Sequence, residues 1–326
     1  MADPDNKIPL TVRIMLTERC NLKCKHCYVS AGEKNNEMDF DLVKKIVDDV
    51  YDIAGDKGNF SLMGGETLLY SRLVDTVKYI KSKKMRCAVV TNGYMVINDD
   101  VVNRLVDAGL DVISISVDGP PEFHDFIRGE KGVHEEVMKS IEIIKRYNIR
   151  FVISVPVFKD TVNFLDYLQG LSERFGARLR FSRFLEVGRG RSLEGNMLDK
   201  EGYTKLFEFC LKNNHSLQDP FFYMFKTKES KGCECGVNVI YIISDGTVWP
   251  CWRMQIPLGN VRNQPLHEIL KNPVIGDFQN RDKLKGKCGI CKYKYRCGGC
   301  RAVPYVLYGD YHGEDPQCPI VDWKLK

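Results

Sequence analysis

The sequence predicts an α/β protein: six strand–helix units building a parallel sheet, then a small cysteine-rich region. Three observations carry this. Short runs rich in β-branched residues alternate with longer stretches of helical period over the first two-thirds of the chain. The alternation stops near residue 215, and eight of the 13 cysteines lie from Cys233 onward. Crossovers of one hand would curl the sheet into a partial barrel; a flat, doubly wound sheet is the competing architecture, and periodicity does not separate them.

The strand runs are residues 11–16, 59–63, 87–90, 112–117, 151–155 and 178–181. In the first helical stretch Val43, Ile46, Val47, Val50 and Ile53 make one apolar stripe. Further helices are expected near 73–80, 101–108, 137–147, 164–175 and 203–213. Beyond residue 215, strands at 237–243 and 247–249 flank Asp245-Gly246, a hairpin turn signal, and a short helix is expected at 265–271. The division is 9–214 for the first domain and 215–326 for the second. The second is too poor in apolar residues to fold without staples.

Composition bounds the function. The chain has 326 residues, 44% of them apolar, which excludes a wholly disordered chain. Lys plus Arg (48) against Asp plus Glu (43) gives a net charge of +5, which implies neither nucleic acid nor a membrane. The first seven residues carry no apolar secretory segment, and no apolar run is long enough to span a bilayer. An odd number of clustered thiols in a reduced cytoplasm points to metal or redox chemistry rather than disulfides.

Cys20, Cys24 and Cys27 form a C-x3-C-x2-C loop directly after the first strand. That is the carboxyl end of a strand, where sites form in parallel α/β proteins. Three thiolates suit a [4Fe–4S] cluster with one iron left open for an exogenous ligand. Zinc with His26 as fourth ligand is the rival; adjacent residues 26 and 27 would strain its tetrahedron.

This loop resembles that of the radical S-adenosylmethionine (SAM) enzymes. In that family SAM chelates the open iron, and reduction cleaves its sulfonium to a 5′-deoxyadenosyl radical. His26 stands where the family usually has an aromatic residue. Three further strand ends fit the resemblance. Gly64-Gly65-Glu66 is similar to the segment that holds the methionine amine, with Glu66 as an acceptor. Thr91-Asn92-Gly93 resembles a second cofactor segment. Ser116 and Asp118 follow the fourth strand, with Asp118 as an acceptor for ribose hydroxyls. The resemblance implies that Arg128 meets the SAM carboxylate; its alternative is a solvated surface cation. Residues 188–191 would contact the adenosine.

The second cysteine region resembles the SPASM extension, which carries two auxiliary [4Fe–4S] clusters. The resemblance implies Cys233, Cys235, Cys251 and Cys300 on the first and Cys288, Cys291, Cys297 and Cys318 on the second. Two departures leave this partition open: Cys297-x2-Cys300 is one residue short of the family spacing, and Cys233-x-Cys235 is a doublet of which one can be spare. Three plus four plus four cysteines leave Cys87 and Cys210, both read as structural. The basic residues Lys283, Lys285, Lys287, Lys292, Lys294, Arg296 and Arg301 around the last cysteines offset anionic clusters; an RNA surface is the other reading.

The expected activity is oxidative modification of a ribosomal peptide or protein side chain, by crosslinking, epimerisation or side-chain oxidation. Modification of a tetrapyrrole side chain is the alternative, and a non-catalytic iron–sulfur electron carrier is a third class. The first strand begins near residue 10, which leaves no room before it for a peptide-recognition domain. The expected electron donor is a reduced flavodoxin or ferredoxin. No nucleic acid or membrane partner is expected, and the expected location is the cytoplasm.

Overall fold

The computed structural model describes residues 7–322. Its sheet has ten strands in the order β10-β9-β8-β1-β2-β3-β4-β5-β6-β7. Strands β1 (Leu10–Met15), β2 (Gly58–Met63), β3 (Arg86–Thr91), β4 (Val112–Ser116), β5 (Arg150–Val157) and β6 (Arg178–Arg183) are neighbours in chain order and all parallel. Every crossover therefore adds its strand to the same edge. With one handedness of crossover, the helices all fall on one face and the sheet curls around the other. This sequential order selects the partial barrel over the doubly wound sheet. A short seventh strand, β7 (Ser216–Leu217), extends the far edge.

Six helices clothe the outside: α1 (Phe40–Ala54), α2 (Leu73–Ser82), α3 (Asp99–Asp107), α4 (Pro121–Arg128), α5 (Val133–Lys145) and α6 (Leu165–Phe175). In α1, Val43, Ile46, Val47 and Val50 are buried, and the Asp39 carboxylate caps the amide nitrogens of Asp41 and Leu42 at 2.7 and 3.3 Å. Helix α4 was not expected. Pro121 stands in its first turn and Gly129 ends it in the left-handed region at φ 80°. Helix α5 begins at Val133, four residues earlier than the periodicity suggested. Two more, α7 (Lys200–Lys212) and α8 (Pro220–Lys226), lead out of the barrel.

The second region is fused to the first. Strand β8 (Val239–Ile242) pairs in parallel with β1, Thr11 opposite Val239 and Ile14 opposite Ile242. Strands β9 (Thr247–Trp249) and β10 (Gly259–Asn260) follow antiparallel. The main hydrophobic cluster runs without a break from the barrel into Ile240, Ile242, Val248, Leu266 and Ile275. This hairpin thus borrows the barrel's core and does not depend on staples alone. The remaining helices are short: α9 (Leu266–Ile269), α10 (Pro273–Gln279), α11 (Gly286–Ile290) and α12 (Ala302–Tyr308).

Candidate active site

The first cysteine loop leaves β1 and lies on the end of β2. The amide of Gly65 donates to the Thr17 carbonyl at 2.7 Å, and that of Glu66 to the Arg19 carbonyl at 2.8 Å. A Cβ on Gly65 would stand 2.2 Å from the Arg19 carbonyl oxygen. Glycine is required here because loop backbone and strand end touch. Residues 188–191 clamp the same loop: Arg189 donates from its backbone to the Cys27 carbonyl (2.9 Å) and from its guanidinium to the carbonyls of Cys24 (3.0 Å) and Ala31 (2.9 Å). Within this segment the Arg189 side chain is therefore committed to the loop.

Of the three acidic and basic candidates, Arg128 lines the cavity at the strand ends and Glu66 and Asp118 stand behind it. Glu66 is buried, and its two oxygens accept from the Thr91 hydroxyl (2.7 Å), the Asn92 amide (2.7 Å) and the Leu68 amide (3.0 Å). Its carboxylate braces the ends of β2 and β3, with three of its roughly four acceptor positions taken. Burial pushes its pKa up, against these hydrogen bonds. Asp118 is fully buried and takes a bidentate Arg128 guanidinium at 2.6 and 2.8 Å. Burial alone would raise Asp118, but Arg128 and then His124 overcome it and hold the carboxyl at about 2. Each Asp118 oxygen accepts one guanidinium N–H and keeps a second acceptor position. Arg128, 5% exposed, is no surface cation; it spans from Asp118 to the neighbourhood of Cys24 and still lines the cavity below.

A cavity of about 210 Å³ opens at the carboxyl ends of the strands, lined by His26, Gly64, Gly65, Thr91, Asn92, Ser116 and Arg128 among others. Seven of the nine expected cofactor residues therefore share one cavity; Glu66 and Asp118 stand behind it. His26 Nδ1 is buried without a partner, and burial lowers this imidazole to about 4, so it is neutral at pH 7. A neutral ring edge-on to Phe158 at 5.8 Å, with a free nitrogen, suits contact with a purine. The Asn92 amide nitrogen donates to Asn21 Oδ1 at 2.8 Å and sits 4.0 Å from Cys20 Sγ, tying the third strand to the cysteine loop.

The late cysteines fall into two groups. Cys233, Cys235, Cys251 and Cys300 line one cavity of about 110 Å³. In it the Nε and Nη2 of buried Arg253 have no partner among the described residues, which fits an anionic, sulfide-rich occupant. Cys251 is lowered to about 6, first by a hydrogen bond from Cys235 and, against burial, by Arg253. Separately, Cys318 lies within electrostatic reach of Cys288 and Cys291, and Cys297 within reach of Cys318. Gly298 and Gly299 both adopt positive φ, 67° and 69°. Two consecutive left-handed residues reverse the chain, which lets the shortened Cys297-x2-Cys300 send its thiols to different groups. Among the described residues no three His, Cys, Asp or Glu side chains are set for a single metal ion; thiols spread around a cavity are the donor set of a cube-shaped cluster. Cys87 and Cys210 are buried in the main core, where burial raises both.

Residues the sequence reading missed line the barrel interior: Arg13, Ser61, Ser114, Ser154, Arg180 and Ser182, with Gln218. Their signal was present, since on each strand they occupy alternate positions between buried apolar residues. Two missed aromatics join the cysteine loops. Tyr28, next to Cys27, packs on Trp252, next to Cys251, at 4.8 Å, and its hydroxyl meets that of Tyr241. Arg183 links the end of β6 to the second region: it is fully buried and pairs with Asp219 and Asp315, and with Gln317 at 2.8 Å.

Comparison with known proteins agrees with this geometry. The family model described as the radical SAM superfamily matches residues 14–168, and the model described as an iron–sulfur cluster-binding domain, SPASM, matches residues 233–298. An AdoMet-dependent heme synthase of Methanosarcina barkeri is 29% identical over 95% of this chain and 96% of that protein. The antilisterial bacteriocin subtilosin biosynthesis protein AlbA of Bacillus subtilis is 26% identical over 90% of this chain and 67% of its own length. The solved structure of anSMEcpe with bound AdoMet superposes with a TM-score of 0.72 at 22% identity, covering 93% of this chain and 94% of that one.

A one-sided parallel barrel with a three-cysteine loop at its strand ends defines a radical SAM enzyme, and this chain belongs to that superfamily. Within it, the protein is of the kind that carries a SPASM iron–sulfur domain, with [4Fe–4S] clusters and SAM as its cofactors. No helix among the described residues is long and apolar enough to cross a membrane.

Proposed function

We propose that Cys20, Cys24 and Cys27 hold the SAM-binding cluster, that the two late groups hold one auxiliary cluster each, and that the enzyme oxidises a substrate bound in the barrel interior. We further propose residues 9–214 as the catalytic barrel and 215–326 as the cluster-bearing extension. One observation carries the reading: the cavity lined by Cys233, Cys235, Cys251 and Cys300 shares Arg13, Gln218 and Trp252 with the cavity lined by the SAM-side residues. A substrate in the interior thus lies between the two. When bound, the clusters supply the electron that cleaves SAM and a nearby acceptor for an electron given up by the substrate.

The chain's own residues do the rest. Gly64 and Gly65 offer backbone to the SAM amine, His26 offers a neutral ring edge to the purine, and Ser116 offers a hydroxyl to the ribose. Glu66 and the Asp118–Arg128 pair hold these groups in register from behind. The aromatic contact of Tyr28 with Trp252 and Tyr241 excludes water between the two cysteine loops.

Two substrate classes remain in play. A peptide or protein side chain is supported by the similarity to a bacteriocin biosynthesis protein and by the open side of a six-stranded barrel. Modification of a tetrapyrrole side chain is the better supported, because the similarity to a heme synthase spans nearly the whole of both chains and the interior is polar and cationic. For the electron donor, a reduced flavodoxin or ferredoxin, the exposed Ile290 between Cys288 and Cys291 offers a docking point flanked by Lys287 and Lys292. Lys283, Lys285 and Lys294 in the same region pair with Asp277, Asp310 and Asp282.

Mass spectrometry after anaerobic turnover tests the substrate. A mass change on a tetrapyrrole that depends on Cys20 and Cys291, with candidate peptides untouched, supports the favoured class. Loss of two hydrogens from a co-expressed peptide, with the same dependence, moves the assignment to the peptide.

A further inference from the structure

The arginines in and around the barrel differ in how they are paired. Those that build the fold are paired. Arg128 grips Asp118, Arg183 grips Asp219 and Asp315, and Arg301 donates to the carbonyls of Tyr311 and Gly313 at 2.9 and 2.7 Å. Those that face the barrel interior are not. Arg13 on β1 and Arg180 on β6, both half-buried, and the exposed Arg86 on β3 and Arg150 on β5 have no hydrogen-bond or ion-pair partner among the described residues.

These four gather in connected space. Arg13 and Arg180 line both the upper cavity and a lower one of about 480 Å³, which Arg86 and Arg150 complete. The two cavities also share Ser61 and Gln218. The charges oppose one another: Arg180 is pushed below its ordinary value by burial, then by Arg13 and Arg150. The acids nearby are committed elsewhere. Asp111 binds Lys81 and the Cys87 amide at 2.7 and 2.8 Å, and Asp219 binds Arg183 and the Tyr203 hydroxyl. Glu234 lines only the cavity of the late cysteines. Arg13 lies close enough to Cys251 to offset an auxiliary cluster; Arg180 and Arg150 have no such counter-charge. Two half-buried, unpaired cations on one cavity cost folding free energy unless something anionic neutralises them.

We propose that Arg13 and Arg180, backed by Arg150 and by the hydroxyls of Ser61 and Ser154, form a carboxylate-binding site inside the barrel, and that the substrate is a small molecule carrying two or more carboxylates. The guanidinium fork matches a carboxylate bidentately, and the serines supply the remaining donors. The site begins where the cavity of Cys233, Cys235, Cys251 and Cys300 meets the SAM-side cavity, so a bound carboxylate anchors the substrate with its far end toward the strand termini. This deepens the reading above and rests on it for the placement of the reaction.

The test is equilibrium dialysis of the reconstituted, SAM-free enzyme with coproporphyrin III, which carries four carboxylates on a macrocycle. Its tetramethyl ester and a glutamate-rich hexapeptide serve as comparison ligands. The acid should bind, the ester should bind at least tenfold more weakly, and Arg180→Gln should weaken the acid by about tenfold or more with Arg180→Lys between. Iron content and melting temperature of each variant show whether it is folded. Displacement of the porphyrin by the hexapeptide, lost in Arg180→Gln, would keep the carboxylate site and assign it to an acidic peptide. Equal binding of acid and ester, or wild-type affinity in folded Arg180→Gln, overturns the proposal. Dialysis needs neither SAM nor reductant, so this failure is distinct from a failure of SAM cleavage.

Discussion

Replacing Asp118 by Asn separates a structural from a ligand-binding role for the acid that follows β4. Asp118 is wholly buried, with Arg128 at 2.6 and 2.8 Å and His124 Nδ1 at 3.3 Å. Its pKa of about 2 against 3.8 means that about 2.5 kcal/mol of preference for the charged form survives burial. Removing that charge also leaves the Arg128 cation buried and uncompensated, and breaking such a pair costs about 3 to 5 kcal/mol. The damage reaches the cysteine loop, because Arg128 neighbours Cys24 and the Lys25 amide donates to the Ile127 carbonyl at 2.9 Å. Asp118→Asn should therefore lower the stability of the reconstituted protein by about 3 to 5 kcal/mol in anaerobic denaturant titration. It should also reduce the iron held by the first loop. Adding Arg128→Met should return part of the stability, since the orphaned cation is gone. Full stability with SAM affinity alone weakened would refute this reasoning and make Asp118 a ribose acceptor.

Gly65→Ala places a Cβ 2.2 Å from the Arg19 carbonyl; the loop must move, and iron analysis should find about four of roughly twelve atoms missing while the auxiliary complement stays. His124 is buried and lowered to about 3 by that burial, which the neighbouring Asp118 does not offset. As pH falls below about 6.5 the unfolded chain takes up a proton that the native chain refuses, so native stability drops by roughly 2 kcal/mol by pH 5. His124→Gln should flatten that part of a pH-dependent melting series, and an unchanged slope would contradict it. Replacing Cys300 should remove iron from the group of Cys251, and replacing Cys297 from the group of Cys318; both losses falling on one cluster would reverse the partition.

Much of this molecule is legible in its sequence because the signals are local. The six strands and their covering helices follow from period, and the three-cysteine loop announces itself by spacing. Period alone did not choose between barrel and flat sheet, because the choice depends on which edge each crossover joins; the expectation of a partial (β/α)6 barrel came from the resemblance. The pairing of β8 with β1 joins residues more than 200 positions apart, and no local pattern encodes it. Helix α4 was not expected, although Pro121 and Gly129 mark its two ends. That omission hid the Asp118–Arg128 pair, since it is the helix that turns Arg128 back on the strand end. The bracing contacts of the acidic residues were not legible, because a carboxylate beside glycines looks free in one dimension. In three, Glu66 is claimed by Thr91, Asn92 and Leu68. The interior arginines were missed for the opposite reason: Arg13 and Arg180 were read as parts of strands, and the alternation that turns them inward was not followed.

Loss of the three-cysteine loop tests most directly where SAM is cleaved. Anaerobically reconstituted, dithionite-reduced enzyme should convert SAM to 5′-deoxyadenosine and methionine. The variant with Cys20, Cys24 and Cys27 all replaced by Ala should make none, while retaining about eight of roughly twelve irons in its auxiliary clusters. Continued formation of 5′-deoxyadenosine by that triple variant would contradict the assignment of the site.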